Sequence, residues 1–268
     1  MLKTDGFTNR RQVFAYFVRR WDRMLTISLW QLLFSVAFVA LLYVSSVAEA
    51  GLTGNYTGAE YAARVIQLRT TTSLLSFVAF YPMMLGFSGA FYLTRKMVWL
   101  EGSSLTIDFF KGVKSSFVNS IFPSIVCGVA YMFTTMADLF VQAYFGSNIF
   151  AYLVVALIVT FLLSIAMFDL AQNSIYITTF SQRFKNSFIL AAVRFPQCFL
   201  VIMASVLPFV FVLYLPVLGL VIAFTVMGLY WFAGTVLLQT LFCHHVFDKF
   251  INAADYPQLV NKGLTKGE

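Results

Sequence analysis

The sequence predicts an all-α polytopic membrane protein with six transmembrane helices arranged as three hairpins, each preceded by a basic amphipathic cytoplasmic segment. Composition is the first observation behind this prediction, because 60% of the 268 residues are hydrophobic and only 11% are charged. A soluble domain is nearer half apolar and about a quarter charged. The other two observations are the length of the apolar segments and the placement of the basic residues between them. A bilayer is therefore the expected solvent.

Six segments approach or exceed the roughly 20 apolar residues that cross the hydrocarbon of a bilayer. They form a single predicted membrane domain, residues 1–268, with spans at about 24–46, 72–94, 117–137, 149–168, 197–214 and 217–243. The first is predicted to be a retained signal anchor, since it is long and equivalent spans follow it. The connection over 47–71 contains three glycines and is predicted to be a long loop, and 214–216 is predicted to be a tight turn.

Lysine and arginine collect on one side of this predicted topology. Of the 18 basic residues, 16 fall at the termini or in the connections on the same side, which leaves Arg64 and Arg69 on the other. Because basic loops are retained in the cytoplasm, this predicts a multi-pass protein of the bacterial cell membrane with both termini cytoplasmic. The net charge of +7 then reflects attraction to anionic lipid headgroups, and nucleic acid is not an expected partner.

Each cytoplasmic segment before an odd-numbered span is predicted to be an amphipathic helix. Apolar residues recur there at intervals of three, four and seven, which places them on one helical face and the cations on the other. Such a helix lies in the headgroup plane with its rings towards the lipid. The three stripes are Phe14, Phe17, Val18, Trp21 and Leu25; Phe110, Val113, Phe117 and Ile121; and Phe180, Phe184, Phe188 and Phe195.

A glycine-containing span, a basic pair, a short acidic linker and an Asp-aromatic-aromatic segment follow one another over residues 86–114. The residues concerned are Gly86, Ala90, Tyr92, Arg95, Lys96, Glu101, Asp108, Phe109, Phe110 and Lys114. This order resembles the YesL-like family of bacterial membrane proteins, and segment 184–202 resembles that family's second block. Phe87 departs from the proline that the family often has after the glycine. The resemblance implies a role beside carbohydrate ABC transporters in Gram-positive bacteria and implies no catalytic residues.

Ser88 lies in a Gly-x-Ser-Gly motif and His244 lies at the end of the last predicted span. A serine and a histidine can form the buried dyad of an intramembrane protease, but the two are placed poorly for it in the predicted topology. Close packing of helices around Gly86 and Gly89 is the preferred explanation of the motif, since small residues let helix backbones approach.

Cys243, His244, His245 and Asp248 raise the question of a metal site. Adjacent residues on a helix point about 100° apart, so His244 and Asp248 are the pair that shares a face. Two ligands are too few, and we expect neither a metal nor another cofactor.

Asp138 and Asp169 are the two carboxylates at the ends of predicted spans, and ionisable residues inside a span mark ion pathways. Both lie near span ends, away from the midplane at which transporters place their sites.

These observations predict a non-enzymatic accessory or scaffold membrane protein. The candidate interaction surface comprises Arg95, Lys96, Asp108, Lys111 and Lys114 with Gly86 and Gly89. Its expected partners are anionic membrane lipids and the permease subunits of an ABC transporter. One alternative is a small transporter or channel for an apolar or lipid-like solute, and a more remote one is an intramembrane serine protease.

Overall fold

Long apolar helices alternate with three short amphipathic helices in the computed structural model, which describes residues 7–146, 148–212 and 227–264. The helices are α1 (Arg10–Val18), α2 (Trp21–Asn55), α3 (Gly58–Val98), α4 (Leu105–Ser115), α5 (Ile121–Phe145), α6 (Ile149–Ile175), α7 (Phe180–Val193), α8 (Phe195–Val212) and α9 (Phe232–Phe247). Helix α9 is preceded by a π-helical turn at Met227–Trp231 and followed by another at Asp248–Asn252. A short helix at Ala253–Asp255 and a 3₁₀ turn at Pro257–Leu259 complete the described chain.

Four helices, α2, α3, α5 and α6, are long and apolar enough to cross a bilayer. Helices α7 and α8 meet the same criterion only as a pair, bent by 93°, so the described residues hold four to five candidate spans. The prediction of an all-helical protein is therefore confirmed, and the candidate spans support a multi-pass membrane protein. The predicted turn at 214–216 and part of the predicted span at 217–243 lie outside the described residues.

The predicted loop over 47–71 is wrong. Helix α2 continues to Asn55 and α3 begins at Gly58. The φ of Gly58, +57°, is in the left-handed region that glycine adopts readily, and it lets the chain reverse direction at this point. Two glycines of the predicted loop, Gly51 and Gly54, sit instead within α2, because an isolated glycine costs a helix only about 1 kcal/mol relative to alanine. At 1.5 Å per residue, the 41 residues of α3 extend about 60 Å, roughly twice the hydrocarbon thickness. Helices α2 and α3 therefore form a continuous hairpin, and α3 is longer than a bilayer crossing requires.

A short helix forms within each predicted amphipathic stripe but ends before the stripe does. The stripe residues beyond the short helices are Trp21 and Leu25 on α2, Phe117 and Ile121 after α4, and Phe195 on α8. Asn9 caps α1 by accepting a hydrogen bond from the Gln12 amide, and Thr179 and Gln182 form a reciprocal capping box at the start of α7. Most of the stripe residues are exposed, as expected of a face that meets lipid. Phe17 is buried in the protein core where α1 packs against α9, and Leu25, Val113 and Phe195 are only partly exposed.

The two ends of the described chain meet beside these short helices. Phe7 pairs with Leu264 in an isolated parallel bridge, and the Arg10 guanidinium contacts the Asp248 carboxylate. Desolvation lowers the pKa of Arg10, and the opposing charge and hydrogen bond of Asp248 offset only part of that shift. We call this end of the bundle, which carries α1, α4 and α7, the basic end, and the opposite end, at the α2–α3 and α5–α6 turns, the distal end.

Candidate functional site

Helix α4, which carries three of the seven residues of the predicted interaction surface, is packed tightly on α3, which carries the other four. A Cβ atom added to Gly112 would lie 2.6 Å from Cβ of Tyr92 and 3.0 Å from Cα of Gly89. Gly86 is equally crowded on another side of α3, because a Cβ there would lie 2.7 Å from Cβ of Phe34 on α2. The two glycines of the predicted surface are thus covered by helices of this same chain, as the close-packing explanation of the motif expected.

Arg95 is also engaged within the protein. Its guanidinium carbon lies 4.6 Å from the ring centroid of Tyr92 and 4.9 Å from that of Trp99. The same guanidinium donates a hydrogen bond to the carbonyl oxygen of Ser174, which ties α3 to the end of α6. Arg95 therefore acts as an internal link between helices.

Lys96 and Asp108 form an ion pair that fixes the start of α4 to the end of α3. The Lys96 ammonium donates to Asp108 Oδ1 at 2.9 Å, and the Ser104 amide donates to Oδ2 at 2.8 Å. Burial alone would raise the pKa of the Asp108 carboxyl, but these two hydrogen bonds and the charges of Lys96 and Lys111 lower it below its ordinary value. Asp108 is thus held ionised as a structural group.

Lys111 and Lys114 are the two charged residues of the predicted surface that reach solvent. They lie on the exposed side of α4, next to the exposed rings of Phe110 and Phe117. Other exposed cations at the basic end are Arg11, Arg19, Lys185 and Lys249. The structure therefore presents cations and aromatic rings together at this end, in the combination that suits an anionic membrane surface.

Ser88 and His244, the two members of the proposed protease dyad, have other neighbours. Ser88 is buried, and its hydroxyl lies 2.9 Å from the hydroxyl of Ser120. The His244 ring lies against Trp99 with 5.6 Å between ring centroids. Within the described ranges no hydrogen bond joins Ser88 to His244, and no group of three or more His, Cys, Asp or Glu side chains could hold a metal ion.

A buried ion pair joins α6 to α7. Nothing in the sequence indicated that its two residues, Asp169 and Arg183, would meet. Arg183 Nε donates to Asp169 Oδ1 at 3.3 Å, and the exposed fractions of the two side chains are only 4% and 1%. Arg183 also donates to Asn119 Oδ1 at 3.1 Å, and Asn119 in turn donates to Asn173 at 2.8 Å. These bonds connect the start of α5, the end of α6 and α7 in one polar network at the basic end.

A second cluster of charges lies at the distal end. The Arg69 guanidinium on α3 donates to Asp138 Oδ2 on α5 and to Glu49 Oε1 on α2, both at 2.8 Å. Asp138 Oδ1 accepts hydrogen bonds from the Tyr152 hydroxyl on α6 and from Gln142, both at 2.9 Å. One arginine thus connects α2, α3 and α5, and Asp138 extends the connection to α6.

These side chains border a cavity of about 350 Å³, which we call the distal cavity. All but one of its lining residues carry a polar side-chain group. They are Ser45, Glu49, Arg69, Thr72, Tyr131, Thr134, Thr135, Asp138, Tyr152 and Val155. Arg69 and Arg95 are 26 positions apart on α3, so the cavity lies about 39 Å along that helix from the basic end.

Sequence reasoning identified Arg69 and Asp138 separately and did not consider Glu49 or Tyr152. Arg69 was one of two basic residues on the sparsely charged side, and that scarcity could have suggested paired carboxylates nearby. Nothing in the spacing of the four residues predicts their meeting, because they lie on four helices over about a hundred positions.

No protein-family model, curated protein or solved structure matches this chain. The fold and the site geometry define its class: an all-helical protein with several candidate membrane spans, a cationic aromatic surface at one end and a polar cavity at the other.

Proposed function

We propose that this chain is a six-span protein of the bacterial cell membrane, similar to the YesL-like family, with both termini in the cytoplasm. Its hairpins would be α2–α3, α5–α6, and α8 with the last span, each following one short basic-end helix. Two findings support this arrangement: the 93° bend between α7 and α8, and the exposed cations and rings at the basic end. A helix lying on the headgroups must turn by about a right angle to enter the bilayer.

This topology predicts which engineered cysteines can be labelled from outside the cell. Ser103→Cys lies at the basic end and is expected to stay unlabelled by an impermeant maleimide on intact cells, whereas Thr53→Cys at the distal end is expected to react. Background should be low, because Cys127, Cys198 and Cys243 are all buried. If the Ser103→Cys variant were labelled on intact cells without permeabilisation, the proposed orientation would be wrong.

Within the membrane, we assign the protein an accessory, non-enzymatic role beside another membrane protein, with a carbohydrate ABC permease as the expected partner. This role is inferred from the way α4 is held. Close packing at Gly112 and the Lys96–Asp108 ion pair fix α4 against α3, while Lys111 and Lys114 remain exposed. A rigid helix with exposed cations suits both lipid headgroups and an acidic patch on a partner, because little backbone freedom of the helix is lost on binding.

Two alternatives are less favoured. A transporter or channel for an apolar or lipid-like solute would need an uncharged path, and the lining of the distal cavity includes the charged side chains of Glu49, Arg69 and Asp138. An intramembrane serine protease would need an activated serine, and the Ser88 hydroxyl pairs with Ser120.

Charge reversal on α4 tests the accessory role. The Lys111→Glu, Lys114→Glu double variant is expected to reduce co-purification of permease subunits from native membranes by at least about tenfold, since like charges across an interface cost several kcal/mol. The matched control is Lys185→Glu, Lys249→Glu, which changes the net charge equally on other elements and should retain the subunits. Equal recovery with both double variants, or absence of the permease from wild-type preparations, would contradict the proposal.

A further inference from the structure

We propose that the distal cavity is a binding site for the ammonium group of a small amine. This site is separate from the accessory surface of α4 and does not depend on it. It combines a partly open cavity of about 350 Å³, an excess of negative charge and lining groups that accept hydrogen bonds. Each of these properties follows from side chains that four different helices bring together.

The charged groups of the lining do not cancel. Arg69 contributes one positive charge, and Glu49 and Asp138 contribute one negative charge each, so the lining carries a net charge of −1. Each terminal nitrogen of Arg69 donates to one of the two carboxylates, so the positive charge of Arg69 is already flanked by two negative charges, which disfavour an anion. A bound ligand that neutralises the net charge of the lining is therefore a cation.

The free hydrogen-bonding capacity of the lining also favours a donor ligand. Thr134 and Thr135 donate their hydroxyl protons to carbonyl oxygens one turn earlier in α5, which leaves their lone pairs as acceptors. Thr72 donates its proton to Ser45. The second carboxylate oxygen of Glu49 accepts no hydrogen bond from the described part of the chain. A primary ammonium group supplies three N–H donors and a positive charge to such a site.

The volume and aromatic content set the size and shape of the ligand. At about 350 Å³ the cavity is at the small end of the range of ligand pockets, about 300–1,000 Å³. The rings of Tyr131 and Tyr152 border it, and aromatic faces attract cations. Tyr131 is held in place by Phe38 and Phe80, with ring centroids 5.8 and 6.2 Å away. A metabolite-sized amine fits this description, and so does the headgroup of phosphatidylethanolamine at the membrane surface.

The proposal can be tested by calorimetric titration of the full chain in phosphatidylglycerol nanodiscs. Ethanolamine, tyramine and agmatine serve as amine probes, and glycerol and glycolate serve as uncharged and anionic references. At least one amine is expected to give saturable binding that the references do not give. Glu49→Gln removes the excess charge and is expected to weaken that binding by about tenfold or more. Glu60→Gln, on the exposed first turn of α3, is the matched control and should leave it unchanged.

A second variant and a second lipid complete the test. Val155→Phe leaves the charges intact and fills the cavity, so it should also weaken binding. If the lipid headgroup is the occupant, nanodiscs containing phosphatidylethanolamine will suppress binding of free amine to the wild-type chain and to Glu60→Gln. If a free amine is the occupant, affinity will be the same in both lipids. The proposal is overturned if glycerol or glycolate binds as well as the amines, or if Glu49→Gln changes nothing. It is also overturned if neither free amine nor phosphatidylethanolamine gives an effect that depends on Glu49.

Discussion

Replacing Arg183 with Met is expected to lower the free energy of unfolding by about 3–5 kcal/mol, because it leaves the buried Asp169 carboxylate without its partner. Asp169 is fully buried, and Arg183 is the cation that contacts it among the described residues. The change also removes the hydrogen bond to Asn119. The measurement is equilibrium unfolding in mixed micelles with increasing SDS, followed by the loss of helical circular dichroism.

Two further variants isolate the ion pair from the loss of a long side chain. Lys185→Met lies on the same helix, is exposed, and should unfold within about 0.5 kcal/mol of the wild type. The double variant Asp169→Leu, Arg183→Met should recover much of the lost stability, because apolar replacement of both partners of a buried pair is often nearly neutral. If Arg183→Met were no less stable than Lys185→Met, the buried pair would not link α6 to α7.

Gly112→Ala is expected to destabilise the protein by about 1–3 kcal/mol, the usual cost of inserting a methyl group into a well-packed contact. The added Cβ would lie 2.6 Å from Cβ of Tyr92 and 3.0 Å from Cα of Gly89, so α3 and α4 would have to move apart while the Lys96–Asp108 pair holds them together. Faster amide hydrogen exchange across α4 would accompany the lower stability. That exchange distinguishes local release of α4 from a general loss of stability.

Gly51→Ala is the matched control. Gly51 lies within α2 with no neighbouring atom within 4 Å of an added Cβ, so alanine should be neutral or stabilise the helix by about 0.5–1 kcal/mol. The same loss of stability in both glycine variants would show that the effect is not specific to the α3–α4 contact.

The short helices illustrate what periodicity can predict. Exposed rings at positions 110, 117, 180, 184 and 188 lie on the stripes that the spacing indicated. Periodicity did not show that the other side of α4 is also occupied, through Phe109 and Gly112, by contact with α3. A stripe reports which residues share a face of their own helix, whereas the partner of each face depends on how the helices pack.

The α2–α3 turn shows where the glycine content of the sequence led to a wrong prediction. Three glycines in 25 residues suggested a loop, but the same stretch contains alanine, leucine, glutamate and arginine, which favour helix. Helix hydrogen bonds are local and continue through single glycines, so the chain turns only at Tyr56 and Thr57.

By itself the sequence determined the all-helical class, the long apolar helices and the amphipathic character of the three short helices, because each depends on hydrophobicity or on spacing within about 25 consecutive residues. Only the tertiary structure decided which charged side chains form contacts within the protein and which stay exposed. Lys96 and Arg95 look like Lys111 and Lys114 in the sequence, yet the first two contact Asp108 and Ser174. Arg69 likewise meets Glu49 and Asp138 only when α2, α3 and α5 pack together. Ion pairing acts over a few ångströms in space, and helix packing sets those distances for residues that are far apart along the chain.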